Sequence, residues 1–146
     1  MGPMAKSEMP WLTTKETELI RTSFAKAGRM PAETSALFYQ KLFALDPSVR
    51  GLFHGDMREQ GRKLMSTLAF VVDSIDRLEQ LLPAVRELGA RHANYGVKDH
   101  HYDTVEKALL WALKRSVGKT FTKPAEVAWH KAYAGLAGAM MTAARK

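Results

Sequence analysis

The sequence has no cysteine. That excludes disulfides, zinc–thiolate sites, iron–sulfur clusters and thioether-linked cofactors, and it removes any need for an oxidising compartment. No apolar run approaches the ~18 residues needed to span a bilayer. The opening segment, Met1 to Pro10, lacks the apolar core of a secretory signal and reads as a loose arm. Internal repeats, low-complexity tracts and Ser/Gly linkers are also missing. The expectation is a cytoplasmic chain without a membrane span, with a flexible arm over residues 1–12 and one domain over 13–146. Charge clustering is absent too. The formal net charge is +7, yet the 22 Lys and Arg are spread along the chain. This predicts a solvated basic surface and no nucleic-acid partner, because clustering is what marks a nucleic-acid footprint.

What is present is helical periodicity, with no sustained strand alternation, so an all-α fold is expected. A domain of 146 residues buries roughly 68–70% of its unfolded surface, enough for a core that also encloses a flat cofactor. Thr13 and Glu16 form a capping-box pattern, followed by an apolar face of Leu19, Ile20, Phe24 and Ala27. Pro31 suits the first position of a second helix carrying Leu37, Phe38, Leu42 and Phe43. Asp46-Pro47 stops that helix and opens a turn ending at Leu52-Phe53. Leu64, Leu68, Val71, Val72 and Ile75 mark a third helix whose end is not defined by the pattern. Pro83 is expected to begin the next, with Val85, Leu88 and His92 on one side and Asn94-Tyr95-Gly96 at its end. A further helix runs from Tyr102 to Ser116, closed by Gly118. Pro124 opens the last, with Trp129, Tyr133, Leu136 and Met140 on one face. These helices, with shorter ones, pack either as a bundle or as crossed pairs, and periodicity does not choose between them.

Among residues able to carry chemistry, His92 stands first. A histidine on an inner helix face is commonly a satisfied core residue. It serves as a metal ligand when an acceptor holds its other ring nitrogen, and the Leu88 carbonyl, four residues back, is in reach. Tyr102 supplies a second polar group nearby. The competing signals are weaker. Gly118-Lys119-Thr120 echoes a phosphate-binding loop, but the glycine required five positions earlier is Leu113. His100 and His101 are adjacent and do not share a helix face, which argues against a paired metal site. His54 and His130 lack ligand spacing, and the eight Met residues read as flexible core filling.

The segment Leu88-Gly89-Ala90-Arg91-His92-Ala93-Asn94-Tyr95-Gly96-Val97, followed by His101-Tyr102, resembles the proximal half of bacterial globins and of flavohaemoglobin haem domains. Pro47 with Phe53 six residues later, Phe121-Thr122, and Ala128-Trp129-His130-Lys131-Ala132-Tyr133 resemble further stretches of the same family. The resemblance runs from about Thr14 to Thr142 and implies a globin fold of crossed helices around haem b, whose two carboxylates offset part of the basic charge. It implies that His92 is the axial iron ligand and that Phe53 stacks on the haem. Tyr39, eight positions before Pro47, falls where these globins carry a distal tyrosine; read alone, it is an ordinary core tyrosine. Gln60 and Leu64 fall where the family places a distal polar residue and an apolar lid; read alone, Gln60 is an exposed helix residue. Leu88, Val97, Tyr102 and Val105 complete the expected haem pocket. Arg91 is either a partner for a haem propionate or a solvated helix arginine.

The implied function is reversible O2 binding for storage or transport at a five-coordinate iron, with NO and CO as further ligands. A hydroxyl or amide donor in a dry pocket stabilises the partial negative charge of the bound gas by about 0.5–1.5 kcal/mol per bond. The alternative is nitric oxide dioxygenation or peroxidase-like turnover with a separate flavoprotein reductase. The chain ends at Lys146 without a Rossmann-type glycine fingerprint. Where flavohaemoglobins carry a late glutamate near the proximal histidine, this sequence has Ala144, which weighs against the enzymatic reading. A monomer or weak homodimer is expected.

Overall fold

The computed structural model describes residues 12–145. It is built from six α-helices of 14–22 residues: α1 (Thr14–Ala27), α2 (Pro31–Leu45), α3 (Met57–Asp73), α4 (Leu78–Asn94), α5 (Asp99–Val117) and α6 (Lys123–Ala144). Short 3₁₀ turns at Pro47–Leu52 and Gly118–Thr120 join α2 to α3 and α5 to α6. No strand occurs among the described residues, and none of their helices is long and apolar enough to cross a membrane. Residues 1–11 of the expected arm lie outside the described residues; Leu12 is buried in the core.

Local chemistry sets most boundaries. Thr13 Oγ1 accepts from the Glu16 amide at 3.0 Å while Glu16 Oε1 accepts from the Thr13 amide at 2.9 Å, closing the capping box at α1. Asp46 ends α2 and caps the 3₁₀ turn by accepting from Ser48. The end of α3 is fixed from another element. Arg21 of α1 donates to the carbonyls of Val72 (3.3 Å) and Asp73 (3.1 Å), groups left over at the helix C-terminus, and also binds Asp76.

Pro83 does not begin its helix. The helix starts at Leu78, and Pro83 sits within it on the exposed side. Starting early places Leu81 (0% exposed) and Val85 (1%) one turn apart in the core, which offsets the one backbone hydrogen bond that proline cannot donate. Likewise α5 begins at Asp99, three residues before Tyr102.

α6 lies between α1 and α4, and α2 lies between α3 and α5. Two glycines bring pairs of helices together. A Cβ at Gly89 of α4 would sit 2.3 Å from the Met140 carbonyl oxygen of α6, and one at Gly61 of α3 would sit 2.6 Å from Ser35 Oγ of α2. The core joins Ile20, Phe38, Leu42, Leu81, Leu113 and Trp129. Each fully buried aliphatic side chain contributes roughly 1.5–3 kcal/mol. Trp129 Nε1 donates to Ser23 Oγ at 2.8 Å, tying α6 to α1, and no described buried side-chain N or O lacks a partner. α3 and α4 are not packed closely on each other. The gap between them is the site.

Candidate functional site

The gap is a cavity of about 580 Å³ lined from α3 by Glu59, Arg62, Lys63, Ser66 and Thr67, and from α4 and its end by Leu88, Arg91, His92 and Tyr95. That volume lies within the range of about 300–1,000 Å³ usual for small-molecule sites.

His92 borders it with its ring fixed. Nδ1 lies 2.7 Å from the Leu88 carbonyl, so Nδ1 carries the proton in the neutral ring and Nε2 keeps its lone pair. Burial pushes the imidazole below its ordinary pKa, with the Leu88 contact acting in the opposite direction, so the neutral form is favoured. The Tyr102 ring, on α5, stacks beside it with centroids 6.5 Å apart. Tyr102 is held in turn, since Tyr133 of α6 donates to its carbonyl at 2.7 Å. The His92 carbonyl accepts from Val97 at 3.0 Å, and Gly96, at φ 91°, turns the chain out of α4.

A second cluster stands on α2 and the turn that follows it. Tyr39 packs edge-on against Phe38 (4.9 Å between centroids) and Phe53 (5.3 Å) and stacks on Phe43 (5.8 Å). Its hydroxyl donates to the backbone carbonyl of Gln60 at 3.4 Å, joining α2 to the first turn of α3. Burial pushes the phenol up to about 12, so it remains a hydroxyl donor at any neutral pH. The Gln60 contact thus runs through its main chain, and the Gln60 side chain is half-buried. Leu64, Val105 and Phe53 are half-buried and packed on the core.

Of the residues expected from sequence, Leu88, Arg91 and His92 line the cavity directly, Tyr102 backs His92, and Tyr39, Phe53 and Gln60 form a contiguous group across α2 and α3. Tyr39, Phe53, Gln60, Leu64, Val97, Tyr102 and Val105 are not among the lining residues. Arg91 forms an exposed ion pair with Glu87 at 2.9 Å. Arg62 and Lys63, which sequence reading did not single out, add positive charge to the opposite rim. Their signal was available only as two basic residues beside Gln60 and Leu64.

The donor set fits haem. One neutral imidazole with its Nε2 lone pair available suits iron, and Lys63, with Arg62 and Arg91 exchanging their exposed Glu59 and Glu87 partners, suits two carboxylates. α6 carries its acidic side chain, Glu126, in its first turn, at the opposite end from Ala144.

His100 and His101 do not share a helix face, as expected, yet their side chains still meet, so their adjacency does not rule out a paired metal site. Both fall in the first turn of α5, and their ring centroids are 4.2 Å apart beside Asp46. The ~100° between successive helical residues is bridged by side-chain reach.

Residues 36–140 match the globin family model. The chain is 30% identical over 136 residues to a flavohemoprotein of Bacillus cereus, with 90% of this chain and 33% of that protein covered. It therefore spans about a third of the length of that relative. It is 29% identical to neuroglobin-1 of Oncorhynchus mykiss, covering 90% of this chain and 92% of that one. Among solved structures, it superposes with TM-score 0.82 and 31% identity on an engineered carbene transferase built on a candidate nitric oxide dioxygenase of Rhodothermus marinus, over 92% and 94% of the two chains. A bacterial globin from Campylobacter jejuni superposes with TM-score 0.79 at 24% identity, over 91% and 96% of the chains, which speaks to the fold. The helices packed around an imidazole-lined cavity and the family match over most of the sequence have one reading: the chain belongs to the globin family.

Proposed function

We propose that the protein holds haem b with His92 as the axial ligand and binds O2 reversibly, for storage or transport, in the cytoplasm. The observation that carries this reading is the His92 ring, clamped at Nδ1 by the Leu88 carbonyl and bordering the cavity between α3 and α4. Haem, when bound, supplies the iron at which a diatomic gas is taken up. The chain supplies orientation, charge and dryness. Leu88 fixes the imidazole plane, and Tyr102, itself held by Tyr133, keeps the ring from turning. Arg91 and the rim cations Arg62 and Lys63 would pair with the haem carboxylates. Phe53, Leu64 and Val105, packed on the core behind the cavity lining, would supply apolar surface toward the haem. Tyr39 and Gln60 would serve as neutral hydrogen-bond donors toward the gas, the Tyr39 hydroxyl turning from the Gln60 carbonyl to do so. NO and CO are expected to enter by the same route.

Nitric oxide dioxygenation or peroxidase-like turnover, fed by a separate flavoprotein reductase, is the second reading. It is favoured by the flavohemoprotein relatives.

Visible spectra of the protein reconstituted with hemin test the first reading, beside His92→Ala. A strong Soret band, a five-coordinate deoxy spectrum and a stable oxygenated form, altered or lost in the variant, are expected. A chain that stays colourless with hemin refutes both readings. Steady consumption of NO by the oxygenated form with a reductant present would decide for the second.

A further inference from the structure

We propose that Asp46, His100 and His101 form a surface site for a divalent transition-metal cation, separate from the haem site. One carboxylate and two imidazoles offer ligand atoms that lie within 4.8 Å of one another. Around a tetrahedral zinc ion, with bonds of 2.0–2.2 Å, ligand atoms stand roughly 3.3 Å apart. The difference is small, and the three side chains stand at half-buried and exposed positions where they have room to rotate.

The elements prepare the cluster. Asp46 caps the end of α2, and its Oδ1 takes both Ser48 contacts, the amide at 3.1 Å and the hydroxyl at 2.6 Å. The carboxylate is thereby oriented, with Oδ2 left to coordinate. His100 makes no hydrogen bond among the described residues, and its ring leans on that of His101 at 4.2 Å. His101 Nδ1 accepts from the Lys98 amide at 2.8 Å. Ligation by His101 releases that amide, because a metal-bound imidazole either carries a proton on Nδ1 or uses Nδ1 itself. The exposed start of α5 lets water replace the contact.

The donor chemistry selects the ion. Two imidazoles favour zinc, copper or nickel over calcium and magnesium, which want oxygen ligands. Three protein ligands leave a fourth position to water. A bound ion joins the end of α2 to the start of α5 and so raises thermal stability.

The test is calorimetric titration of metal-free, haem-loaded full chain with zinc chloride, paired with ¹⁵N-resolved amide spectra. One equivalent of zinc is expected, with a shift of the Lys98 amide and a raised thermal midpoint. His100→Asn and Asp46→Asn should each weaken binding about tenfold or more. Asn at 46 keeps the turn cap, so a folding defect does not obscure the result. His130→Asn, at the other imidazole–carboxylate pair, should leave the affinity unchanged. No binding up to about 1 mM zinc, or binding that survives both His100→Asn and Asp46→Asn, overturns the proposal.

Discussion

Tyr39 is held on three sides by aromatic rings and keeps its proton because burial disfavours the phenolate. If its hydroxyl turns from the Gln60 carbonyl toward a bound gas, Tyr39→Phe removes one neutral hydrogen bond worth about 0.5–1.5 kcal/mol. Stopped-flow measurement should show O2 leaving a few-fold to about tenfold faster. The ring packing survives the change, so thermal stability should move little. An unchanged rate would show that the hydroxyl serves only the α2–α3 contact. At this scale the sequence is informative where the contact is local. The His92–Leu88 clamp follows from a four-residue helical spacing. The Asp46 cluster was not legible, because its carboxylate and imidazoles lie more than fifty residues apart in the sequence.

Between elements, the sharpest constraint is the crossing of α4 and α6. Gly89→Ala drives a methyl group to within 2.3 Å of main-chain oxygen at Met140, and a backbone cannot swing aside as a side chain does. Overpacking of this kind costs typically about 1–3 kcal/mol. Urea unfolding should show that loss, and haem retention should fall with it because His92 lies less than one turn further along α4. Gly138→Ala, on α6 itself, is the contrasting case: its new methyl meets nothing within 4 Å. Helix propensity then favours alanine by about 1 kcal/mol, and the variant should be more stable. Caps and prolines made most boundaries readable, as at Thr13, Pro31 and Asp46. They misled at Pro83, where burial of Leu81 and Val85 outweighed a local signal, and they say nothing of Gly89, whose role depends on Met140, about fifty residues later in α6.

Across the whole molecule, the Arg21–Asp76 pair ties the first helix to the loop after α3 and gives stability a dependence on pH. The Arg21 hydrogen bond holds the Asp76 carboxyl below its ordinary value. A carboxyl depressed in the folded state favours folding above its unfolded pKa, about 3.9, and that favour disappears as pH falls through the folded value. Asp76 is 39% exposed, so solvent screening keeps the effect modest. Thermal midpoints followed from neutral pH downward should fall more steeply for the parent chain than for Asp76→Asn. Parallel curves would show that the pair contributes nothing to acid sensitivity.

The open slot between α3 and α4 has one more consequence. Here two helices share a boundary that protein atoms do not fill. A prosthetic group seated there is a layer of the interior delivered from outside. Occupancy at a thousand times the dissociation constant adds about 4.1 kcal/mol, comparable to the whole margin of a weakly stable domain. The stability of the chain would then rise and fall with the supply of the group that fills the slot.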